Sequence, residues 1–270
     1  NYAFEAGKKA IEDHLKRVGL KGKVSNGCID GIYRVDYEVK NNPKVSIIIP
    51  NKDEKETLET CINSILNKTT YENYEIVIVE NNSETEEIFE YYKELEENEK
   101  IKVVKYEEKG FNYSKIINLG VKNSDGEFIV QLNNDTEIET PDWLEDMLGF
   151  ASREDVGAVG VKLFYPDNTI QHAGIVFGID RVATHLFRGL SRHLHGYFAR
   201  ESTIQDFSAV TAACMMAKRS VYEEVGYMDE NLFKVAFNDV DFCLKLMEKG
   251  YRNIYNPYVE LIHYESKSRG

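Results

Sequence analysis

Asn133, Asn134 and Asp135 close an apolar run, and Glu137 and Glu139 follow at once. A turn needs one or two such side chains, whereas a cluster of hard oxygen donors after a buried strand also suits a divalent cation or a phosphate. A second pair of carboxylates, Asp239 and Asp241, lies in "FNDVDFCLKL", where helical spacing begins. A general base needs a carboxylate fixed on a rigid element and facing a cleft. A helix start equally favours Asn238 or Asp239 as its cap, and spacing alone prefers the cap. His14, His172, His185, His193, His195 and His263 contain no HxxxH pair, so there is no local zinc motif. On its own, His263 after "VELI" reads as a core or edge residue. There is no GxGxxG after the first apolar strand and no GxxxxGK[ST] anywhere. A phosphate would then need another source of positive charge, and magnesium or manganese on Asp135 is the simplest.

These residues need a frame. Phe4, Ile11, Leu15 and Val18 have helical spacing over residues 3–18, and "GKVSNGCIDGIYRVDYEV" reads as a turn and a short alternating strand. Pro43 closes this N-terminal arm, residues 1–43. From Val45 onward, apolar runs ("VSIIIP", "YEIVIVE", "IKVVKY", "EFIVQL") alternate with amphipathic segments ("ETLETCINSILN", "SETEEIFEYYKELEEN", "YSKIINLGVKNS"). That alternation predicts an α/β fold with a mostly parallel sheet flanked by helices. In such sheets ligands bind beyond the carboxyl ends of the strands. The four ends here are "PNKDE", "ENNSE", "EEKGFNYS" and "NNDTE". Any one of these is explained as an ordinary polar turn; four together favour a ligand site. Beyond Asp135 the alternation weakens, and residues 165–210 are rich in His, Gly, Arg and aromatics without clear periodicity.

The 270 residues suffice for a sizeable core, and 42% hydrophobic with 29% charged residues describes an ordinary globular chain. A net charge of −13 argues against a nucleic-acid partner. The scattered cysteines, Cys28, Cys61, Cys214 and Cys243, read as reduced, hence a cytoplasmic setting. No apolar run is long enough to span a membrane. A chain that begins at Asn1 reads as part of something longer, with room outside it for a peripheral membrane attachment.

Taken in order, "VSIIIPNKDE", "IVIVENNS", "GFNYSKIINLGVKNSDGEFIVQLNNDTEI", "TAACMMAKRSVYEEVGYMDE", "FNDVDFCLKL" and "LIHYESKSRG" resemble the inverting glycosyltransferases of family 2, especially the subgroup acting on bacterial surface polysaccharides. The resemblance covers residues 44–270 and implies the GT-A nucleotide-diphospho-sugar transferase fold, with a nucleotide-binding half (44–135) and an acceptor-binding, catalytic half (136–270). It implies that Pro50, Asn51, Asp53, Glu80, Asn82, Asn112, Asn118 and Asn134 surround the nucleotide. Asp135, with Asn133 in place of the motif's first Asp, would bind Mn2+ or Mg2+ together with His263, and Asp239 would be the catalytic base. Gln171, His172 and Asp241 are expected at the acceptor site, with the stretch up to Phe198 lining or covering it. The expected partners are a UDP- or dTDP-linked sugar donor and a glycan, glycolipid or glycoprotein acceptor, at the inner face of the cell membrane; a homo-oligomer is left open. The competing readings are a non-catalytic nucleotide-sugar or carbohydrate binding module and a nucleotidyltransferase.

Overall fold

The computed structural model describes residues 2–179 and 182–265. The N-terminal arm is a helix, α1 (Tyr2–Val18), and a two-stranded hairpin, β1 (Gly22–Asn26) with β2 (Tyr33–Tyr37). The sequence reading anticipated one strand here; the turn at residues 27–32 supplies a partner for it. Next come β3 (Val45–Asn51), α2 (Lys55–Lys68), β4 (Tyr74–Glu80), α3 (Glu86–Leu95), β5 (Ile101–Lys105), α4 (Tyr113–Lys122) and β6 (Phe128–Leu132). This half is the expected run of βαβ units. Every side chain of β4 and β6 is buried, as continuous apolar strands covered on both faces require.

The second half adds β7 (Thr136–Ile138), α5 (Trp143–Ala151), β8 (Val156–Phe164), β9 (Ile170–His172), β10 (Ile175–Phe177), β11 (Ala183–His185), β12 (Gln205–Phe207), β13 (Cys214–Lys218), α6 (Arg219–Glu224), α7 (Asn238–Glu248) and β14 (Arg252–His263). The central sheet runs β12-β14-β8-β13-β6-β3-β4-β5, with β7 on β14 and β9 on β8. It is mixed, not mostly parallel. Strand β13 pairs antiparallel with both β6 and β8, while β14 runs parallel to β8. Because β13 is antiparallel to both neighbours, β6 and β8 point the same way. So β3, β4, β5, β6, β8 and β14 all end at one edge of the sheet.

The arm rests on α5. Arg34 Nη2 donates to both carboxylate oxygens of Asp146, at 2.8 and 2.9 Å. The Tyr37 ring meets Phe150 edge-on with centroids 5.1 Å apart, and Arg153 Nη1 donates to Tyr37 Oη at 2.9 Å. A cleft of about 370 Å3 lies between this hairpin and β12, lined by Tyr33, Arg153, Asp206 and Arg252. It opens at the amino end of β14, the far end of that strand from His263.

Close approach of α4 to the sheet sets how far its first turn projects over that edge. It depends on Gly120, where an added Cβ would lie 2.3 Å from Ile48 Cγ2 and 2.9 Å from Val79 Cγ2. Alanine is the better helix former by about 1 kcal/mol, but overpacking two β-branched strand residues costs about 1–3 kcal/mol. Gly120→Ala is therefore expected to lower the unfolding free energy in urea titrations, and a gain in stability would show that α4 can lift from the sheet freely.

Candidate active site

The common edge of the sheet collects the polar side chains. Pro50 and Asn51 close β3, Glu80 closes β4, and Asn133–Asp135 follow β6. Asn51 is 2% exposed and fully engaged. Its Oδ1 accepts from Asn134 Nδ2 at 2.6 Å, while its Nδ2 donates to Asp53 O at 2.9 Å and Tyr92 Oη at 2.7 Å. One amide thus ties the loop after β3 to the loop after β6.

Asp53 sits in the left-handed region, φ 50°, a conformation Asp tolerates better than most residues. Its Oδ1 accepts from the amides of Glu84 and Thr85 and from Thr85 Oγ1, at 2.8, 3.0 and 2.9 Å. The carboxylate therefore pins the loop that leads into α3. Burial works against its charge, but these hydrogen bonds and Lys52 outweigh that and hold Asp53 below the usual carboxylate range. Glu80, also buried, accepts from the Ser83 amide. Asn82, at φ 55°, donates to Glu108 O at 2.8 Å. Pro50, Asn51, Asp53, Glu80, Asn82 and Asn134 thus gather around the loops after β3, β4 and β6.

Asn112 and Asn118 belong to α4 and hold protein. Asn112 is the N-cap, accepting from the Lys115 amide and donating to Glu230 O. Asn118 is 1% exposed; its Nδ2 donates to Met228 O and Glu230 Oε1, and its Oδ1 accepts from the Met228 amide. With Ser114 Oγ on Phe233 O and the Tyr113 amide on Lys234 O, they fasten the 228–234 segment to α4. The Asn118 donors and acceptor are engaged with Met228 and Glu230, so its amide shapes the loop.

Asp135 and His263 converge. Both are buried, and His263 Nε2 lies 3.0 Å from Asp135 Oδ1. The contact is not a hydrogen bond, for Asp135 Oδ1 has no donor among the described residues. Asn133 Nδ2 lies 3.2 Å from the same Nε2. A buried carboxylate oxygen beside an imidazole nitrogen is the kind of donor pair a divalent cation uses. Asn133 adds an amide, whose oxygen is a further hard ligand when the amide is turned. The donor set fits such an ion with oxygens of a diphosphate completing it, although no group of three His, Cys, Asp or Glu occurs among the described residues.

Asp239 stands one strand away. It is the second residue of α7, whose N-cap is Phe237 in the left-handed region. The capping reading of Asn238 and Asp239 is thereby corrected. Asp239 Oδ1 accepts from the Val240 amide at 2.8 Å, and Oδ2 accepts from the Ala212 amide at 3.3 Å. The next residue, Ala213, accepts from the Asn133 amide at 3.0 Å. Asp239 and the Asn133–Asp135 turn therefore flank the same two residues leading into β13, and both carboxylates raise the pKa of the buried Tyr113 phenol after the larger effect of its burial. Burial pushes Asp239 above the usual carboxylate range; the Val240 and Ala212 amides, His185 and Thr211 oppose this only in part.

Of the residues expected at the acceptor site, Gln171 and His172 are buried on β9. His172 Nδ1 lies 2.9 Å from His185 Nδ1, and its Nε2 has no partner among the described residues. Burial, then His185 and His263, keep His172 well below the usual imidazole range. Gln171 contacts His263. Asp241 does not join them: two residues along a helix face different ways, and it pairs with Lys245 at 3.1 Å. Tyr197 and Phe198 are exposed, stacked edge to face. Residues 180 and 181 of the covering stretch, and 266–270 of the last motif, lie outside the described residues. Tyr113, His185 and Glu265 carried no sequence signal, since their importance comes from neighbours on other strands. All four cysteines are free thiols.

A mixed α/β sheet flanked by helices, with polar side chains collected at its strand ends, is the arrangement of the GT-A glycosyltransferase fold. The sequence profile for Glycosyl transferase family 2 matches residues 46–226; the chain belongs to that family. It is 42% identical over 270 residues to the uncharacterized protein y4gI of Sinorhizobium fredii, covering 100% of this chain and 30% of that one. It is 37% identical over 268 residues to the O-antigen biosynthesis protein RfbC of Myxococcus xanthus, covering 99% of this chain and 21% of that one. The chain thus spans less than a third of the length of these curated relatives. Among solved structures it is similar to GalNAc-T7 with UDP, GalNAc and Mn2+, at TM-score 0.68 and 15% identity over 84% of this chain and 44% of that one. No helix among the described residues is long and apolar enough to cross a membrane.

The raised Asp239 has a linked effect on stability. A carboxyl whose folded pKa exceeds its unfolded value contributes fully below the unfolded pKa, and that contribution is lost as pH rises through the folded pKa. The stability of the wild type relative to Asp239→Asn is expected to fall from pH 4 toward neutrality, read from urea unfolding at each pH. A difference that stays constant or grows over this range would mean that Asp239 is not desolvated in the native state.

Proposed function

We propose that this family-2 domain is a metal-dependent, inverting transferase. It moves a hexosyl or deoxyhexosyl unit from a UDP- or dTDP-linked sugar to a hydroxyl of a glycan or glycoconjugate acceptor. The observation that carries the reading is the convergence of Asp135 with His263 at the end of β6, with Asp239 held at Ala212 one strand away. A bound Mn2+ or Mg2+, held by Asp135 and His263 with Asn133 beside them, would offset the charge that builds on the departing diphosphate. The neighbour GalNAc-T7, solved with UDP and Mn2+, supports a cation of this kind.

The chain's own residues carry the rest. Asn51, Asp53, Glu80 and Asn82 form the rim that receives base and ribose, and the Asn51–Asn134 bond fixes that rim relative to Asp135. Asp239 accepts the proton of the incoming hydroxyl as the new C–O bond forms at the anomeric carbon and the bond to the diphosphate oxygen breaks. The nucleoside diphosphate leaves from the opposite face, so configuration inverts in one displacement and no enzyme nucleophile is required. A carboxylate raised by burial is a stronger base, nearer the operating pH. His185 offsets this rise only in part. The kinship with RfbC supports an acceptor among bacterial surface polysaccharides and a site of action on the cytoplasmic side of the membrane.

Two measurements test this reading. Asp239→Asn is expected to reduce transfer by a factor of about 10² or more while donor affinity stays near wild type; turnover at the wild-type rate would remove Asp239 from the base role. A panel of nucleotide sugars with Mn2+ should reveal one that raises the melting temperature, because a ligand selective for the native state stabilises it. Asp135→Ala and His263→Ala should abolish the Mn2+-dependent part of that shift. Stabilisation without nucleoside diphosphate release in the presence of acceptors would favour a binding module over an enzyme.

A further inference from the structure

Gln171 lies on β9 at a β-bulge. Leu163 pairs with His172 and Phe164 with Ile170, so Gln171 is the extra residue in the register. Bulges beside active sites re-aim a side chain that regular alternation would point elsewhere. Here the re-aimed amide reaches His263: Gln171 Oε1 is 2.7 Å from His263 Nδ1, and Gln171 Nε2 donates to Glu265 Oε2 at 3.0 Å. Gln171 is 5% exposed and His263 7% exposed, so water does not substitute for either contact.

The chemistry of the chain settles its polarity. A carboxylate only accepts hydrogen bonds, so the Gln171 NH2 group must face Glu265 and the amide oxygen must face His263. That oxygen can be satisfied by the imidazole only through Nδ1–H. The proton is therefore placed on Nδ1, and Nε2 accepts from Asn133 Nδ2 at 3.2 Å with Asp135 Oδ1 3.0 Å away. Glu265 is itself fixed, because its Oε2 also accepts from Tyr165 Oη at 3.0 Å and lies 3.8 Å from Arg188 Nη2. Tyr165 Oη in turn accepts from Arg188 Nε at 2.8 Å.

We propose that Gln171 is the positioning residue of the cation site, holding His263 in the Nδ1–H tautomer with Nε2 unprotonated, and that Glu265 sets the direction of the Gln171 amide. The same tautomer suits the other side of the ring: Asn133 Nδ2, which can only donate, lies 3.2 Å from Nε2, and an unprotonated nitrogen there accepts from it. The chain also places Gln171 behind the cation site, not on the acceptor. The assignment rests on the metal-dependent reading of this site for its functional meaning, but the tautomer it asserts is a property of the metal-free protein.

The test uses both. In the wild-type protein without metal, long-range ¹H–¹⁵N spectra of ¹⁵N-histidine-labelled protein are expected to show His263 protonated at Nδ1 and unprotonated at Nε2. Gln171→Leu should give a mixture of tautomers or the Nε2–H form. Calorimetry with Mn2+ and nucleoside diphosphate should then show cation affinity reduced about 10- to 100-fold, as loss of an outer-sphere partner to a histidine ligand typically does. The exchanged pair Gln171→Glu with Glu265→Gln keeps a hydrogen bond at each contact with donor and acceptor reversed between the two side chains. It should recover both the Nδ1–H tautomer and most of the Mn2+ affinity, a rescue that a packing role for Gln171 would not produce. Asp135→Ala separates the two levels of the argument. If it leaves Mn2+ affinity unchanged, the cation reading fails whatever Gln171 does. If it abolishes Mn2+ binding while Gln171→Leu alters neither tautomer nor affinity, the positioning role is overturned and the cation site stands.

Discussion

The site depends on six strands sharing one direction. Because β3, β4, β5, β6, β8 and β14 all end at the same edge, residues as distant in sequence as Asn133 and His263 become neighbours. The turnabout at β13 makes this work. As an antiparallel strand between two forward ones, it brings its own start, Ala212 and Ala213, to the edge where the others finish. That start is where Asp239 is received and where the Asn133 amide is anchored. A purely parallel sheet would have presented another carboxyl end there, with no free amide for Asp239.

Burial is what gives these groups their chemical character. In a half-buried cleft a carboxylate loses hydration and its proton affinity rises, which is the condition of Asp239. Two backbone amides, Thr211 and His185 oppose that rise only in part. Asp53, close to the same edge, shows the contrary solution. Three donors outweigh its burial, so it stays acidic and pins the loop that leads into α3. Two aspartates of one type at one sheet edge are thus separated in proton affinity by the number of donors each receives, a division that acid–base sites commonly use.

The sequence carried the first half of the molecule well and the second half poorly. Continuous apolar runs such as "YEIVIVE" have only one economical fate between amphipathic helices, and β3 to β6 with α2 to α4 follow from them. The segment from 165 to 210 had no period to read, because β9, β10, β11 and β12 are each three residues long and owe their form to the sheet they touch. The site divides along the same line. Resemblance to the family named Asp135, His263 and Asp239, and the structure brings these to one edge. It could not separate residues that would touch a ligand from those that hold the ones that do. Asn118 and Gln171 look as polar as Asn51 in a linear chain. Only their partners, the Met228 backbone and the His263 ring, show which way each amide faces.

That distinction bears on how the side of the site next to α7 is built. The 228–234 segment is fastened to α4 by six hydrogen bonds, and α4 is seated on β3 and β4 through Gly120. Yet just past that anchorage Val235 and Phe237 are exposed, and Leu232 within it is 77% exposed. An anchored loop bearing unpacked apolar side chains differs physically from a loose one. Its backbone entropy is already spent on folding, so an incoming surface need not order it again. The same loop leads directly into Phe237 and α7, two residues before Asp239. Whatever settles on it is therefore presented to Asp239 by an anchored element, and its position along the sheet edge is fixed by the seating of α4.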